Sequence, residues 1–113
     1  MLRFLEQQYF NKIKKIIFSL FFLIFFNPAL ADTKMDLGLD VYNNKAQCGV
    51  CHTLKAASSE GQIGPNLDQL KANIDQIIYA VKNGVGVMPP WEGILSYEEI
   101  EAVAYYVFKS TNQ

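Results

Sequence analysis

Cys48-Gly49-Val50-Cys51-His52 sets two thiols three positions apart and an imidazole directly after the second. These are the only two cysteines and the only histidine in 113 residues. Any chemistry that needs a thiol or an imidazole from this sequence must therefore use this pentapeptide. A structural zinc site takes four Cys or His ligands, so zinc would need carboxylate help or a second chain. A thioredoxin-like dithiol is expected after a strand, at the opening of a helix in a βαβ unit, and no alternating strand pattern competes with the helical periods of this chain. A redox-active or structural Cys48–Cys51 disulfide stays open as a reading.

The full C-x-x-C-H pattern marks covalent haem attachment. The spacing has a physical reason: thiols three positions apart can reach the two vinyl groups on one porphyrin edge, and the next residue's imidazole is carried under the ring to bind iron axially. The surrounding chain also asks for such an organiser. Cys48 to Leu67 and Val85 to Gly93 carry no regular period, and a compact domain seldom holds so long an irregular loop unless it is functional.

Upstream, the composition changes. Seven of the eight phenylalanines lie in the first 26 residues. Arg3, Lys12, Lys14 and Lys15 form a basic region, Ile16 to Phe26 is an uncharged apolar run, and Ala29-Leu30-Ala31 supplies a small-x-small pattern. Residues 1–31 read as a cleavable signal peptide, with cleavage after Ala31. A retained membrane anchor is the competing reading, but the run has 11 residues where a spanning helix wants about 20.

The remaining domain, residues 32–113, carries ten acids against six lysines and no arginine. An acidic domain without a basic cluster has no electrostatic footprint for a phosphate backbone, which argues against nucleic acid as a partner. At 82 residues it is small enough to need a staple beyond its own core. A buried haem would supply one.

Three helices are expected. Ser96-Tyr97-Glu98-Glu99 matches a capping box, with Leu95 and Ile100 placed for a hydrophobic staple, and Ile100, Val103, Ala104 and Val107 follow the i, i+3, i+4, i+7 rule of a buried face. A second helix runs from Asn73 to Asn83, with Asn73 and Gln76 as a cap pair, an apolar stripe of Ile74, Ile77, Ile78 and Val81, and Gly84 as its stop. Asp36 to about Lys45 reads as a shorter one, weakened by Gly38 and the Asn43-Asn44 pair.

Gly38…Tyr42, Cys48-x-x-Cys51-His52, Gly64-Pro65-Asn66-Leu67, Met88-Pro89 and Val103-Ala104-Tyr105-Tyr106-Val107 resemble, in order, the signature positions of class I cytochromes c. The resemblance spans essentially all of residues 32–113 and is nearest to short bacterial and photosynthetic monohaem carriers. It implies an all-α, cytochrome c-like fold of three to four helices and long loops around one covalent haem c. It further implies that the first and last helices cross where Gly38 meets Tyr106. Residue by residue, it implies that Cys48 and Cys51 attach the haem, that His52 is the proximal ligand, and that the Pro65 carbonyl accepts the His52 Nδ1–H bond. A turn proline without that role is the alternative for Pro65. Tyr42 stands six residues before Cys48, where four is common in the family, so the turn into the motif should bulge or the helix end early. Lys55 to Ile63 has no assigned chemistry, and Trp91 is open between haem contact and core packing.

Met88 is the expected second axial ligand. With His52 on the iron, the chain offers no second histidine and no spare cysteine, so methionine or an open position remains. Met1 leaves with the leader and Met35 sits near the new N-terminus, whereas Met88 lies 36 residues past His52, in an irregular loop, followed by Pro89 and Pro90. Core filling is the other use of a methionine.

The functional expectation is a periplasmic, monomeric single-electron carrier that passes electrons between donor and acceptor redox proteins. It would touch membranes only through those partners, and no substrate would be transformed. Two rivals remain: a haem c subunit of a periplasmic dehydrogenase complex, such as one oxidising a sulfur compound, and a thiol–disulfide protein.

Overall fold

The computed structural model describes the backbone of residues 1–24 and 29–113 and the side chains of residues 1–19 and 33–113. The chain divides into two units, Met1–Leu30 and Ala31–Gln113. In the first, α1 (Leu2–Ile24) is a helix whose described side chains are exposed. The end of the apolar run and Asn27-Pro28 lie outside the described residues, as do the side chains of the Ala29-Leu30-Ala31 triplet. Among the described residues no helix is long and apolar enough to cross a membrane.

The second unit is mostly helical. α2 (Ala29–Asp40) starts seven residues earlier than the pattern predicts and passes into a π turn, Val41–Lys45, closed by Ala46 N–H on Val41 O at 2.9 Å. This wider turn is the bulge expected from the six-residue interval between Tyr42 and Cys48: it takes up extra chain while keeping Val41 and Tyr42 fully buried. A one-turn helix α3 (Leu67–Leu70), α4 (Ile74–Asn83) and α5 (Tyr97–Thr111) follow.

Both predicted capping boxes form. Asn73 Oδ1 accepts from Gln76 N–H at 2.9 Å while Gln76 Oε1 accepts from Asn73 N–H at 3.0 Å, and Ser96 and Glu99 make the same exchange at the start of α5. Each satisfies two otherwise orphaned N–H groups. Glu99 also pairs with Lys45 through its other oxygen, joining the π turn to the first turn of α5.

The core combines Val41, Tyr42, Leu54, Ile77, Val81, Leu95, Ile100, Val103, Ala104, Tyr106 and Val107. Leu95 and Ile100, the expected staple pair, both belong to it. α2 and α5 meet where Gly38 faces the Ala102 carbonyl and the Tyr106 Cβ, with no room for a side chain. Glycine therefore sets how closely the two backbones approach. The Tyr42 and Tyr106 rings pack beside this contact, tilted by 57° with centroids 5.9 Å apart.

The loop between Cys48 and Leu67 contains a feature the periodicity does not reveal. Two two-residue strands, β1 (Thr53–Leu54) and β2 (Ser59–Glu60), pair antiparallel, with Thr53 opposite Glu60 and Leu54 opposite Ser59. Lys55 to Ile63, to which the sequence assigns no chemistry, thus holds the turn and second strand of a small hairpin that begins at Thr53.

Candidate functional site

Gln47, in the left-handed conformation at φ 50°, turns the chain out of the π segment. Cys48–Val50 then form a 3₁₀ turn, with Cys51 N–H on Cys48 O at 3.1 Å and His52 N–H on the same carbonyl at 3.0 Å. In a 3₁₀ turn residues i and i+3 lie nearly one above the other, so Cys48 and Cys51 share an edge. Both are free thiols, half-buried, and no disulfide joins them.

His52 follows with its ring fixed. Its Nδ1 lies 2.8 Å from the Pro65 carbonyl oxygen. A carbonyl can only accept, so the proton is on Nδ1 and the lone pair of Nε2 is left for a metal. Gly64 packs against the ring: a Cβ at that position would stand 2.5 Å from Cε1 and 2.8 Å from Nδ1. Gly64 N–H donates to Cys51 O at 2.7 Å, which ties the Gly64-Pro65 segment to the motif itself. The chain thus brings Cys48, Cys51, His52 and Pro65 into one constellation across 13 residues of loop.

Thiol–disulfide chemistry runs through a thiolate. Burial, with a smaller contribution from Cys51, pushes the Cys48 thiol up to about 11, which keeps it protonated at neutral pH. Among the described residues there is no cluster of three His, Cys, Asp or Glu side chains to hold a metal ion. The donors are one imidazole and two thiols on a shared edge, with Cys48 packed against the apolar core. That set fits a covalently attached macrocycle whose iron takes a nitrogen ligand.

Residues 33–107 match the family described as cytochrome C oxidase, cbb3-type, subunit III. The chain belongs to the cytochrome c family, as a small class I c-type cytochrome. It is 36% identical to cytochrome c6 of Tetradesmus obliquus over 83 residues, 65% of this chain and 89% of that protein. With chloroplastic cytochrome c6 of Chlamydomonas reinhardtii it shares 39% identity over 84 residues, 65% of this chain, which spans only about half (52%) of that relative. The crystal structure of the c-type cytochrome SorU from Sinorhizobium meliloti superposes with a TM-score of 0.68 at 43% identity, covering 73% of this chain and 95% of that one. The fold is therefore the cytochrome c fold, and the family implies one covalent haem c through a C-x-x-C-H motif, whose spacing Cys48 and Cys51 have. Proteins of this family carry electrons between redox partners.

Met88 in this cytochrome lies in a tight turn, with reciprocal bonds Val85 N–H to Met88 O at 3.1 Å and Met88 N–H to Val85 O at 2.9 Å. The loop is returned to α4 by Trp91 N–H on Val81 O at 2.9 Å and by the Lys82–Glu92 ion pair at 3.3 Å. Met88 and Trp91 are both half-buried against the core. Pro89 and Pro90 between them have no N–H to satisfy.

Sequence reasoning missed Ser59, and with it the bonds that hold the motif from behind. Ser59 bonds the His52 carbonyl at 3.0 Å, and Tyr42 bonds Ser59 at 3.0 Å. A serine in an aperiodic segment gives no signal, since its partners lie 7 and 17 residues away.

Proposed function

We propose that this chain is an exported, monomeric single-electron carrier in which Cys48 and Cys51 hold one haem c as thioethers and His52 and Met88 are its axial ligands. The observation that carries the reading is the pairing of two undisulfided thiols on one edge of a turn with an imidazole whose Nδ1–H is committed to Pro65. When bound, the haem iron supplies a one-electron Fe(II)/Fe(III) couple.

The chain's own residues do the rest. Pro65 fixes the tautomer, which directs Nε2 to the metal and raises its basicity. Gly64 sets the plane of the ring by contact. Met88 would give the iron a thioether donor, which favours Fe(II), and with His52 and Met88 both committed to holding the haem the protein would transfer electrons and transform no substrate. Residues 1–31 act as the leader, cleaved after Ala31, and the carrier works in the periplasm. Its acidic balance suits donor and acceptor proteins with basic or apolar docking faces.

Pyridine haemochrome spectroscopy on protein purified from a host with haem-attachment machinery tests the reading. The expected spectrum is that of haem c, one per chain, resistant to acid-acetone extraction, on a polypeptide that begins at Asp32. A chain recovered without haem and with a Cys48–Cys51 disulfide would return the thiol reading.

A further inference from the structure

Ser59 lies in the hairpin that the sequence leaves unexplained, yet its hydroxyl is the most connected side-chain group near the motif. Its Oγ is 3.0 Å from the His52 carbonyl oxygen, 3.1 Å from the Leu54 amide nitrogen and 3.0 Å from the Tyr42 hydroxyl. A serine hydroxyl has one hydrogen and two lone pairs. The carbonyl can only accept and the amide can only donate, so the hydrogen goes to His52 and one lone pair to Leu54. The second lone pair is left for Tyr42, which must be the donor. The hydroxyl also stands 3.5 Å from the Leu54 carbonyl oxygen, a longer contact that competes for the same hydrogen, so these directions hold with the hydrogen on the nearer His52 carbonyl.

The junction is shielded from competing water. Tyr42 and Leu54 have no exposed surface, and Ser59 is half-buried. Gly49 also closes on Ser59, since a Cβ at that position would stand 2.7 Å from the serine Cβ. His52 is therefore held at two ends, its ring by Pro65 and Gly64, its main chain by Ser59.

We propose that Ser59 is a positioning residue for the axial histidine: its hydroxyl, saturated by Tyr42 and Leu54, fixes the His52 carbonyl and with it the aim of the imidazole. The hairpin β1–β2 is then the element that delivers this hydroxyl. The π turn is what brings the Tyr42 hydroxyl to the other side of it. The proposal rests on the reading of His52 as an iron ligand.

The test is electron paramagnetic resonance of the ferric holoprotein, which reports the orientation and strength of the axial ligands, alongside thermal unfolding. Unmodified protein should give one low-spin species. Ser59→Ala should keep its haem but show a shifted or split low-spin signal. Tyr42→Phe, which keeps the ring in the core and removes only the hydroxyl, should move the signal the same way by less. Ser59→Thr should restore the original signal. Spectra of Ser59→Ala and Tyr42→Phe identical to the unmodified protein, with only the melting temperature lowered, overturn the positioning role and leave the haem reading intact. No histidine-ligated low-spin signal in the unmodified protein overturns the axial role of His52 and this one with it. If Ser59→Ala fails to retain haem, Tyr42→Phe decides by the same signal.

Discussion

Gly64 and His52 are in direct contact: a Cβ on Gly64 would lie 2.5 Å from Cε1 of the imidazole and 2.8 Å from Nδ1, the atom bonded to Pro65. Neither neighbour can yield cheaply, because the Gly64 amide is tied to Cys51 O and the ring to Pro65 O. Gly64→Ala should therefore rotate the ring and lengthen the Nδ1–H bond. Overpacking of this kind costs about 1–3 kcal/mol, and loss of a bond behind a metal ligand weakens metal binding about 10–100-fold. Thermal unfolding of the holoprotein and the iron–histidine vibration in resonance Raman measure the two effects. An unchanged vibration would show that the glycine does not set the ring.

The α2–α5 crossing has the same character. Gly38→Ala would press a methyl group onto the Ala102 carbonyl and the Tyr106 Cβ, both on a rigid helix. The expected loss is again about 1–3 kcal/mol, read as a lower guanidinium chloride midpoint with an unchanged slope. Stability equal to the unmodified protein would mean the helices can part there freely.

How much of this was legible in the sequence depends on how local each device is. The capping boxes at Asn73–Gln76 and Ser96–Glu99 close within four residues, and their signals are complete in the string. The π turn was legible only as a surplus of two residues between Tyr42 and Cys48, since no residue type marks it. The hairpin was not legible at all. Strands of two residues have no period, and this one turns through Ser58 in the left-handed conformation at φ 52°, a place where glycine or asparagine would have given notice. The His52–Pro65 bond spans 13 residues and came only from the family resemblance.

The Lys45–Glu99 pair gives a pH dependence whose sign follows from its shifts. The hydrogen bond from Lys45 holds the Glu99 carboxyl below its ordinary value of 4.5, and the bond to Glu99 raises Lys45 above 10.5. A depressed carboxyl contributes stability that is present above its unfolded value and lost as pH falls through the folded one. A raised lysine contributes stability that is present below its unfolded value and lost as pH rises through the folded one. Lys45→Gln should therefore melt slightly lower than the unmodified protein at pH 7. The two curves should converge below about 4.5 and again above about 10.5. Added salt should narrow the gap, because the pair is partly exposed. Parallel curves across the whole range would remove the pair from the account.

Covalent attachment through Cys48 and Cys51 predicts a graded response. Either cysteine replaced by serine should leave one thioether, with weaker haem retention and lower stability. Both replaced should leave a domain that loses its haem and most of its helical circular dichroism, since a domain of this size is marginal on its own core. A haem-free double variant that still unfolds cooperatively with full helix content would show that the polypeptide does not depend on the cofactor.

The sixth-ligand role proposed for Met88 is supported by the turn that carries it. Reciprocal bonds with Val85 fix both the amide and the carbonyl of Met88, so its side chain leaves a backbone that is already ordered. The Trp91 bond to Val81 and the Lys82–Glu92 pair then hold the rest of the loop to the end of α4. A ligand on such a loop loses little further freedom on binding, which is what a weak thioether donor needs. Met35, the other methionine of the Ala31–Gln113 unit, instead sits within α2 and packs against the core. Met88→Ala should abolish the weak far-red sulfur-to-iron band of the oxidised protein. It should also lower the reduction potential, because the thioether favours Fe(II), and open the iron to cyanide or imidazole. Met88→His should restore a six-coordinate iron without restoring the band. If Met88→Ala keeps both the band and the potential, Met35 becomes the ligand to test, and α2 would have to open to release it.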